Sequence, residues 1–158
     1  MKKFLFFCVM CICTQFSFAQ RYEGNIGASY GFGLNDNVNN MGVTTEHGYR
    51  FNDYLFVGAG VGFVKLEQIE DIELDIAYIP LYLNIKGYIW NNRKITPFAS
   101  FDAGMALRED GGLLITPAIG CSYRLGRRLG LSLSIGYNRV KIHNYAYNSM
   151  NLKFAFNF

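Results

Sequence analysis

The chain has 158 residues, of which 51% are hydrophobic, 16% aromatic and 17% charged, with a formal net charge of +3. That length suits a single domain. Two of the 15 basic side chains, Lys2 and Lys3, lie in a predicted leader, which leaves 13 against 12 acidic ones and a net charge of +1. A nearly neutral domain gives no electrostatic basis for binding nucleic acid.

The amino-terminal segment has the pattern of a cleaved secretory signal. Two lysines precede an apolar run over residues 4–12, and small residues flank a phenylalanine in the tripeptide that ends at Ala19, as at a signal-peptidase site. The apolar run is too short for a transmembrane helix. We therefore predict a signal peptide over residues 1–19 and one mature domain over residues 20–158.

Cysteine usage limits the chemistry of the mature domain. Cys8, Cys11 and Cys13 all lie in the predicted leader, so Cys121 is the one thiol that remains. Neither an intrachain disulfide nor a cysteine cluster for metal is therefore expected.

The mature segment alternates apolar and small or polar residues, which is typical of β-strands. Later stretches hold no run of 18 apolar residues for a helical membrane span, and Gly, Tyr, Phe, Asn and Ser recur throughout. We predict eight strands of roughly 9 to 13 residues, a length that crosses a bilayer at a tilt. In chain order they lie near residues 22–34, 41–51, 54–65, 75–89, 95–107, 113–124, 129–140 and 148–158.

The links between these strands alternate in character. Tight polar turns are predicted at 51–54, 90–94 and 125–128, and mostly longer links at 35–40, 66–74, 108–112 and 141–147. An even-stranded barrel in the outer membrane has this rhythm, with short periplasmic turns and longer outer loops. Both mature termini are then predicted to lie in the periplasm.

The two faces of the strands indicate which side meets lipid. A soluble barrel is also apolar on one face, but its water-facing side should carry many Lys and Glu. Here the polar parity is small and uncharged, at Asn25, Gly27, Ser29, Gly31, Gly33, Gly58, Gly60, Gly62, Ser132, Ser134, Gly136 and Asn138. Such side chains suit the crowded lumen of an eight-stranded barrel. The opposite parity, with Leu81 and Leu133 near its middle, is predicted to face outer-membrane lipid.

The chain ends on an aromatic strand. Met150 and Leu152 share one face with Phe154, Phe156 and Phe158. This ending resembles the closing strand of bacterial outer-membrane barrels, whose terminal aromatic is part of the signal read by the barrel-assembly machinery. The resemblance implies that machinery, together with periplasmic chaperones, as partners during biogenesis.

Three segments carry a wider resemblance: DYLFVGAGVGF at 53–63, IPLYLNIK at 79–86 and TPFASFDAG at 96–104. They are similar to the small porin-like outer-membrane β-barrel domain of Bacteroidetes-type bacteria, an architecture of the OmpA/OmpX type. The resemblance covers essentially the whole mature chain and implies an all-β, eight-stranded antiparallel transmembrane barrel. It supplies no shared catalytic residues. Three prolines fall within the predicted strands and are expected at bulges or strand ends, namely Pro80, Pro97 and Pro117.

Charged residues on the inward parity predict a polar network in the lumen. They are Glu46, Arg50, Lys86, Asp102, Arg124 and Lys153. A charge in a closed lumen needs partners to be tolerated. We therefore favour a structural role over a gate.

An acidic stretch could bind a divalent cation or a basic partner. Its carboxylates are Glu67, Glu70, Asp71, Glu73 and Asp75. Their spacing does not match a calcium loop, so a solvated loop is favoured. We predict no metal site, cofactor site or catalytic residue.

These observations favour a non-enzymatic envelope protein of the outer membrane that acts as a structural or surface-interaction scaffold. A narrow porin-like channel for ions or small solutes is the alternative, and a lipid-modifying enzyme is the third reading. The enzyme needs a nucleophile beside a base, and the histidines are His47, on the outward parity, and His143, in the last outer loop six residues before Ser149.

Overall fold

The computed structural model of the protein describes residues 21–34, 38–68, 76–89, 94–108, 111–126, 129–142 and 145–158. The predicted signal peptide lies outside these residues. Eight strands are present: β1 (Arg21–Gly33), β2 (Val38–Arg50), β3 (Leu55–Gln68), β4 (Ile76–Tyr88), β5 (Ile95–Leu107), β6 (Gly111–Arg124), β7 (Gly130–Ile142) and β8 (Tyr145–Asn157). Among the described residues, no helix has the length and apolar character needed to cross a membrane.

The strands form one closed barrel in chain order. Each pairs antiparallel with its neighbours, and β8 closes on β1 through a register that includes Ile26 with Phe156. The predicted eight-stranded antiparallel meander is therefore confirmed. We call the end that carries Arg21 and Asn157 the base, and the opposite end, at Gly33, the rim.

The strands extend further at the rim than the sequence predicted. β2 begins at Val38 rather than at 41, β3 ends at Gln68 rather than at 65, and β8 begins at Tyr145 rather than at 148. The link between β7 and β8 is thereby reduced to two residues, 143–144. The predicted contrast between short and long links is therefore wrong: of the rim links 34–37, 69–75, 108–110 and 143–144, only 69–75 is longer than every base link, which are 51–54, 89–94 and 125–129. Strand ends at the rim carry apolar side chains that pack together and keep the strands paired.

Alternation sorts the side chains into an outer and an inner set. Leu83 and Ile119 are each 65% exposed, whereas their inward neighbours are buried or half-buried. Leu81 and Leu133 also lie on the outside, as predicted. The exposed outer set includes Ile26, Phe32, Val43, Phe63, Ile85, Phe101, Leu152, Phe154, Phe156 and Phe158.

Two of the three prolines lie inside strands, and not at the bulges or strand ends where the sequence predicted them. Pro80 pairs with Ala106 and Pro117 with Phe101, both inside continuous registers. Only Pro97, the third residue of β5, lies near a strand end. The irregularity in register occurs instead between Gly111 and Leu114 of β6. A proline removes a single backbone N–H donor. Backbone pairing can therefore be interrupted at a proline while the residues before and after it keep the same register.

Candidate functional site

The lumen is the candidate site, and its centre is an ion network around Glu46. This side chain is 2% exposed and projects inward from β2. The ammonium of Lys153 on β8 bonds to its Oε1, and Lys86 Nζ on β4 lies 3.7 Å from its Oε2. Two neutral donors complete the shell: Asn25 Nδ2 donates to Oε2 at 2.7 Å and the Tyr82 hydroxyl donates to Oε1 at 3.0 Å. A buried carboxylate with this many partners has its desolvation cost offset.

Asp102 lies in the same part of the lumen. The amide of Asn84 donates a hydrogen bond to its Oδ1, and the two residues are register partners on β4 and β5. Asp102, Lys86 and Lys153 all line one cavity together with Glu46. Two carboxylates and two ammonium groups thus share this region, which balances its charge.

Arg50 and Arg124 do not join this network, although they share its parity. Arg50 Nε lies 3.2 Å from Glu23 Oε2, and its guanidinium lies 4.0 Å from the centre of the Tyr88 ring. Arg124 is exposed at the base end of β6. The six predicted residues therefore divide between the middle of the lumen and its base.

An aromatic layer lies between these two regions on β3, β4 and β5. It consists of Phe56, Tyr88 and Phe98, all buried, with Phe56 fully buried. Lys86 Nζ lies 5.3 Å from the ring centres of both Phe56 and Phe98, within cation–π range. The layer is therefore linked electrostatically to the network next to it.

Glycines on the inner face make room for these rings. A Cβ on Gly58 would lie 2.7 Å from Cζ of Phe56, and one on Gly120 would lie 2.7 Å from Cζ of Phe98. Gly60 leaves the same kind of space for the ring of Tyr82. Gly58 and Gly60, two of the inward glycines predicted to pack the lumen, thus lie beside large aromatic side chains.

Sequence reasoning missed an apolar plug at the rim. Its buried members are Val38, Val64, Leu66, Tyr78, Tyr82, Ala106, Leu114, Val140 and Ile142, and Tyr147 packs against them. These residues share the inward parity of the polar lumen. The available signal was the change from polar to apolar residues along that parity near the rim ends of the strands.

Between the aromatic layer and the rim plug lies a cavity of about 80 Å³. Its lining includes Phe98 of the aromatic layer and Val64 of the rim plug. The buried atoms Asn25 Oδ1 and Asn84 Oδ1, which lack a protein partner among the described residues, belong to side chains that line it. Buried amide oxygens need hydrogen bonds, and water molecules in this cavity would supply them.

Of the residues considered for catalysis, His47 and Ser149 lie apart from each other. His47 is on the outer surface, where its Nδ1 is hydrogen-bonded to the Tyr22 hydroxyl at 2.6 Å and its Nε2 to Thr45 Oγ1 at 2.9 Å. Ser149 is buried in the lumen and accepts a hydrogen bond from Asn40 at 2.7 Å. His143 lies outside the described residues.

The structure also locates the residues considered for metal binding and those of the closing strand. Among the described residues, no group of three or more His, Cys, Asp or Glu could hold a metal ion. Of the acidic stretch, Glu67 is exposed on β3, and the four carboxylates from Glu70 to Asp75 lie outside the described residues. Phe154, Phe156 and Phe158 project outward from β8 and its end.

Comparison with solved structures identifies the fold. Neisserial surface protein A has a TM-score of 0.57 at 12% identity, over 88% of this chain and 94% of its own. The N-terminal β-barrel domain of Pseudomonas aeruginosa OprF has a TM-score of 0.50 at 12% identity, over 89% and 98%. A de novo designed transmembrane β-barrel reaches 0.52 at 18% identity, over 86% and 95%.

The chain has the fold of the eight-stranded outer-membrane β-barrels. No family model matches it, and no curated protein sequence matches it significantly. The comparisons therefore show the barrel fold alone. The narrower porin-like family, inferred from the sequence, stays a prediction.

Proposed function

We propose that this protein is a non-enzymatic outer-membrane component of a Gram-negative cell envelope, a scaffold that spans the membrane and presents its rim for structural or surface interactions. The observation that carries the proposal is the filling of the lumen by side chains. The rim plug packs side chains of β2 to β8 together at one end, and the aromatic layer of β3, β4 and β5 fills part of the lumen toward the other. A barrel filled in this way suits a scaffold better than a conduit.

The outer surface supports residence in a membrane. The charged side chains among the described outward strand positions all lie near the rim. They are Lys65 and Glu67 of β3 and Arg139 and Lys141 of β7. From there to the base the outward side chains are uncharged, and many are large and apolar. Water-soluble proteins rarely expose so continuous an apolar surface. Contact with lipid hides it.

The base supports a membrane interface at that end of the barrel, and we propose that this end, with both mature termini, lies in the periplasm. Tyr22, Tyr49, Tyr123 and Phe158 project outward there, where an aromatic girdle marks a membrane interface. Phe158 also lies close to Gly24 of β1, so the closing strand is fixed to the first. This arrangement fits a terminal signal that the barrel-assembly machinery reads before closure.

A narrow channel is the alternative function, and a lipid-modifying enzyme is less favoured. A channel requires the rim plug and the aromatic layer to open together. The enzyme could use the hydrogen-bonded pair of Thr45 and His47, but the backbone of Thr45 is paired with both Ile26 and Val61. That pairing hinders an oxyanion hole, which in acyl transfer is often built from backbone N–H groups.

Cell fractionation tests the proposal. The mature protein should begin at Gln20, fractionate with outer membranes and show heat-modifiable migration on gels. Phe158→Ala should lower the yield in the outer membrane, whereas Phe32→Ala, which removes an outward ring at the rim end of β1, should not. Recovery of the unmodified protein as a soluble periplasmic species would contradict the proposal.

A further inference from the structure

The outward side of β7 changes from apolar to basic as it approaches the rim. The residues that alternate with its outward positions are buried or half-buried on the inner face. In order toward the rim, the exposed outward residues are Leu133, Ile135, Tyr137, Arg139 and Lys141. The two cations therefore lie on the outer surface of the barrel, at the upper end of a strip that faces lipid.

Small neighbours leave space beside Lys141. On β8 its cross-strand partner is Ala146. On β6, a Cβ added to Gly112 would lie 3.4 Å from the Cβ of Lys141, and the glycine fills none of that space. The stem of Lys141 is therefore flanked by short residues on both sides, so that a group as large as a phosphate can approach its ammonium.

Arg139 lies next to this space, one outward position nearer the base. Its cross-strand partners are Ile115 on β6 and Asn148 on β8. The Oδ1 of Asn148 accepts a hydrogen bond from the Tyr137 hydroxyl at 2.9 Å, which leaves the Nδ2 of this amide to donate to another group. Arg139, Lys141 and Asn148 thus offer N–H donors from two strands to the same part of the surface.

The strands on either side of these cations supply no acidic partner. Neither β6 nor β8 contains Asp or Glu. Within the described part of the chain, Arg139 and Lys141 form no ion pair. Another outward cation near the rim, Lys65, differs in this respect, because it shares its face of β3 with Glu67 two residues further on.

The residues below the cations favour a lipid over a soluble anion as the partner. Tyr137, the next outward residue toward the base from Arg139, is of a type enriched at membrane–water interfaces. Below it, Ile135 is the register partner of Leu152 on β8, and both are exposed on the outside together with Leu133. A lipid whose phosphate contacts the cations can lay an acyl chain along this apolar strip.

We propose that the rim end of β7 binds the phosphate headgroup of a membrane lipid through Arg139 and Lys141, with Asn148 as a neutral donor. A guanidinium matches phosphate oxygens with paired N–H donors, and an ammonium acts as a point charge beside it. The inference rests on the proposed residence of the barrel in the membrane. It gives the protein one preferred lipid site beside β7, in addition to general contact with lipid.

Native mass spectrometry of the full-length mature protein, released from an uncharged maltoside detergent, tests the site with phosphatidylglycerol as the probe. We expect the unmodified protein to bind phosphatidylglycerol more tightly than phosphatidylcholine, whose choline offsets the phosphate charge. Arg139→Gln and Lys141→Gln should each weaken phosphatidylglycerol binding by about fivefold. Heat-modifiable migration verifies that each variant is folded. Lipid A as a second probe distinguishes the sources, since the lipid that binds more tightly and loses more affinity in the variants is the preferred one.

Lys65→Gln is the matched control, because it removes an outward cation near the same end of the barrel but on β3. Its lipid affinity should be unchanged. Equal weakening by Lys65→Gln, or unchanged binding in both β7 variants, would overturn the lipid site. Pyrophosphate that binds as tightly as the lipids would also overturn it, in favour of a soluble anion. If the protein still fractionated with outer membranes, these results would leave the proposed function intact.

Discussion

Lys153 and Glu46 form an ion pair inside the barrel although their strands, β8 and β2, are separated by β1. Asn25 of the intervening strand donates to the same carboxylate. Three adjacent strands are therefore tied together next to the seam where β8 closes on β1. Lys86 extends the network to β4 on another side of the barrel.

Glu46→Gln should lower the free energy of unfolding by about 3 to 5 kcal/mol, because it leaves the buried ammonium of Lys86 and the half-buried one of Lys153 without their carboxylate. Denaturant unfolding in phospholipid vesicles measures this loss. The double variant Glu46→Gln/Lys153→Met should recover part of it, since one stranded charge is removed. Lys86→Ala should also destabilise, by leaving Glu46 with one ammonium partner fewer.

The control for this series is Glu67→Gln, which removes an exposed carboxylate outside the lumen. Its unfolding free energy should be little changed. If Glu46→Gln proved as mild as this control, the network would not stabilise the barrel.

Gly60→Ala should destabilise by about 1 to 3 kcal/mol, a typical cost of overpacking. The added Cβ would lie 2.6 Å from Cε2 of Tyr82, whose hydroxyl bonds to Glu46. Gly87→Ala is the matched control, because its Cβ meets only the Ala99 carbonyl at 3.9 Å. Equal stability of the two variants, measured by the same unfolding assay, would show that Tyr82 can move without cost.

Parity alone identified much of the lumen from the sequence. Alternation placed Glu46, Lys86, Asp102 and Lys153 on the inner face, since a period of two fixes facing once the strand is known. Alternation could not predict how far along the barrel axis each side chain lies. Arg50 shares that parity but lies beyond the aromatic layer, where its partner is Glu23. Alternation does not predict which inward charges pair with each other.

The length of the strands at the rim and the proline positions could not be predicted from the sequence, for a different reason. Val38 and Ile142 lay at or beyond the predicted strand limits, because polar residues in the neighbouring links suggested loops. Packing across the barrel keeps these ends paired, and such long-range contacts leave no local signal. Likewise, a register that continues past Pro80 depends on both neighbouring strands.

Leu133→Arg should lower the free energy of unfolding by about 2 to 4 kcal/mol, because a charged side chain would enter the middle of the lipid-facing surface. Tyr123→Arg, at the base end of β6, should cost about 0 to 1 kcal/mol, since a long side chain there reaches the interface. Unfolding in vesicles compares the two. Similar losses at both positions would contradict the proposed depth of the barrel in the membrane.

His47→Ala should leave phospholipid hydrolysis at the background level shown by the unmodified protein. The pair of His47 and Thr45 is hydrogen-bonded, but the strand backbone around it is engaged in pairing. Release of fatty acid from mixed micelles is the measurement. Hydrolysis by the unmodified protein that is lost in both His47→Ala and Thr45→Val would favour the enzyme instead.

Planar-bilayer recording of the purified protein tests the central claim most directly. With the rim plug and the aromatic layer both in place, the unmodified barrel should show no stable, large-conductance steps. Lys86→Ala should act through stability and leave the membrane current at baseline. Reproducible ion-selective openings of the unmodified protein, with a selectivity that Lys86→Ala shifts while the barrel stays folded, would contradict the scaffold and indicate a channel.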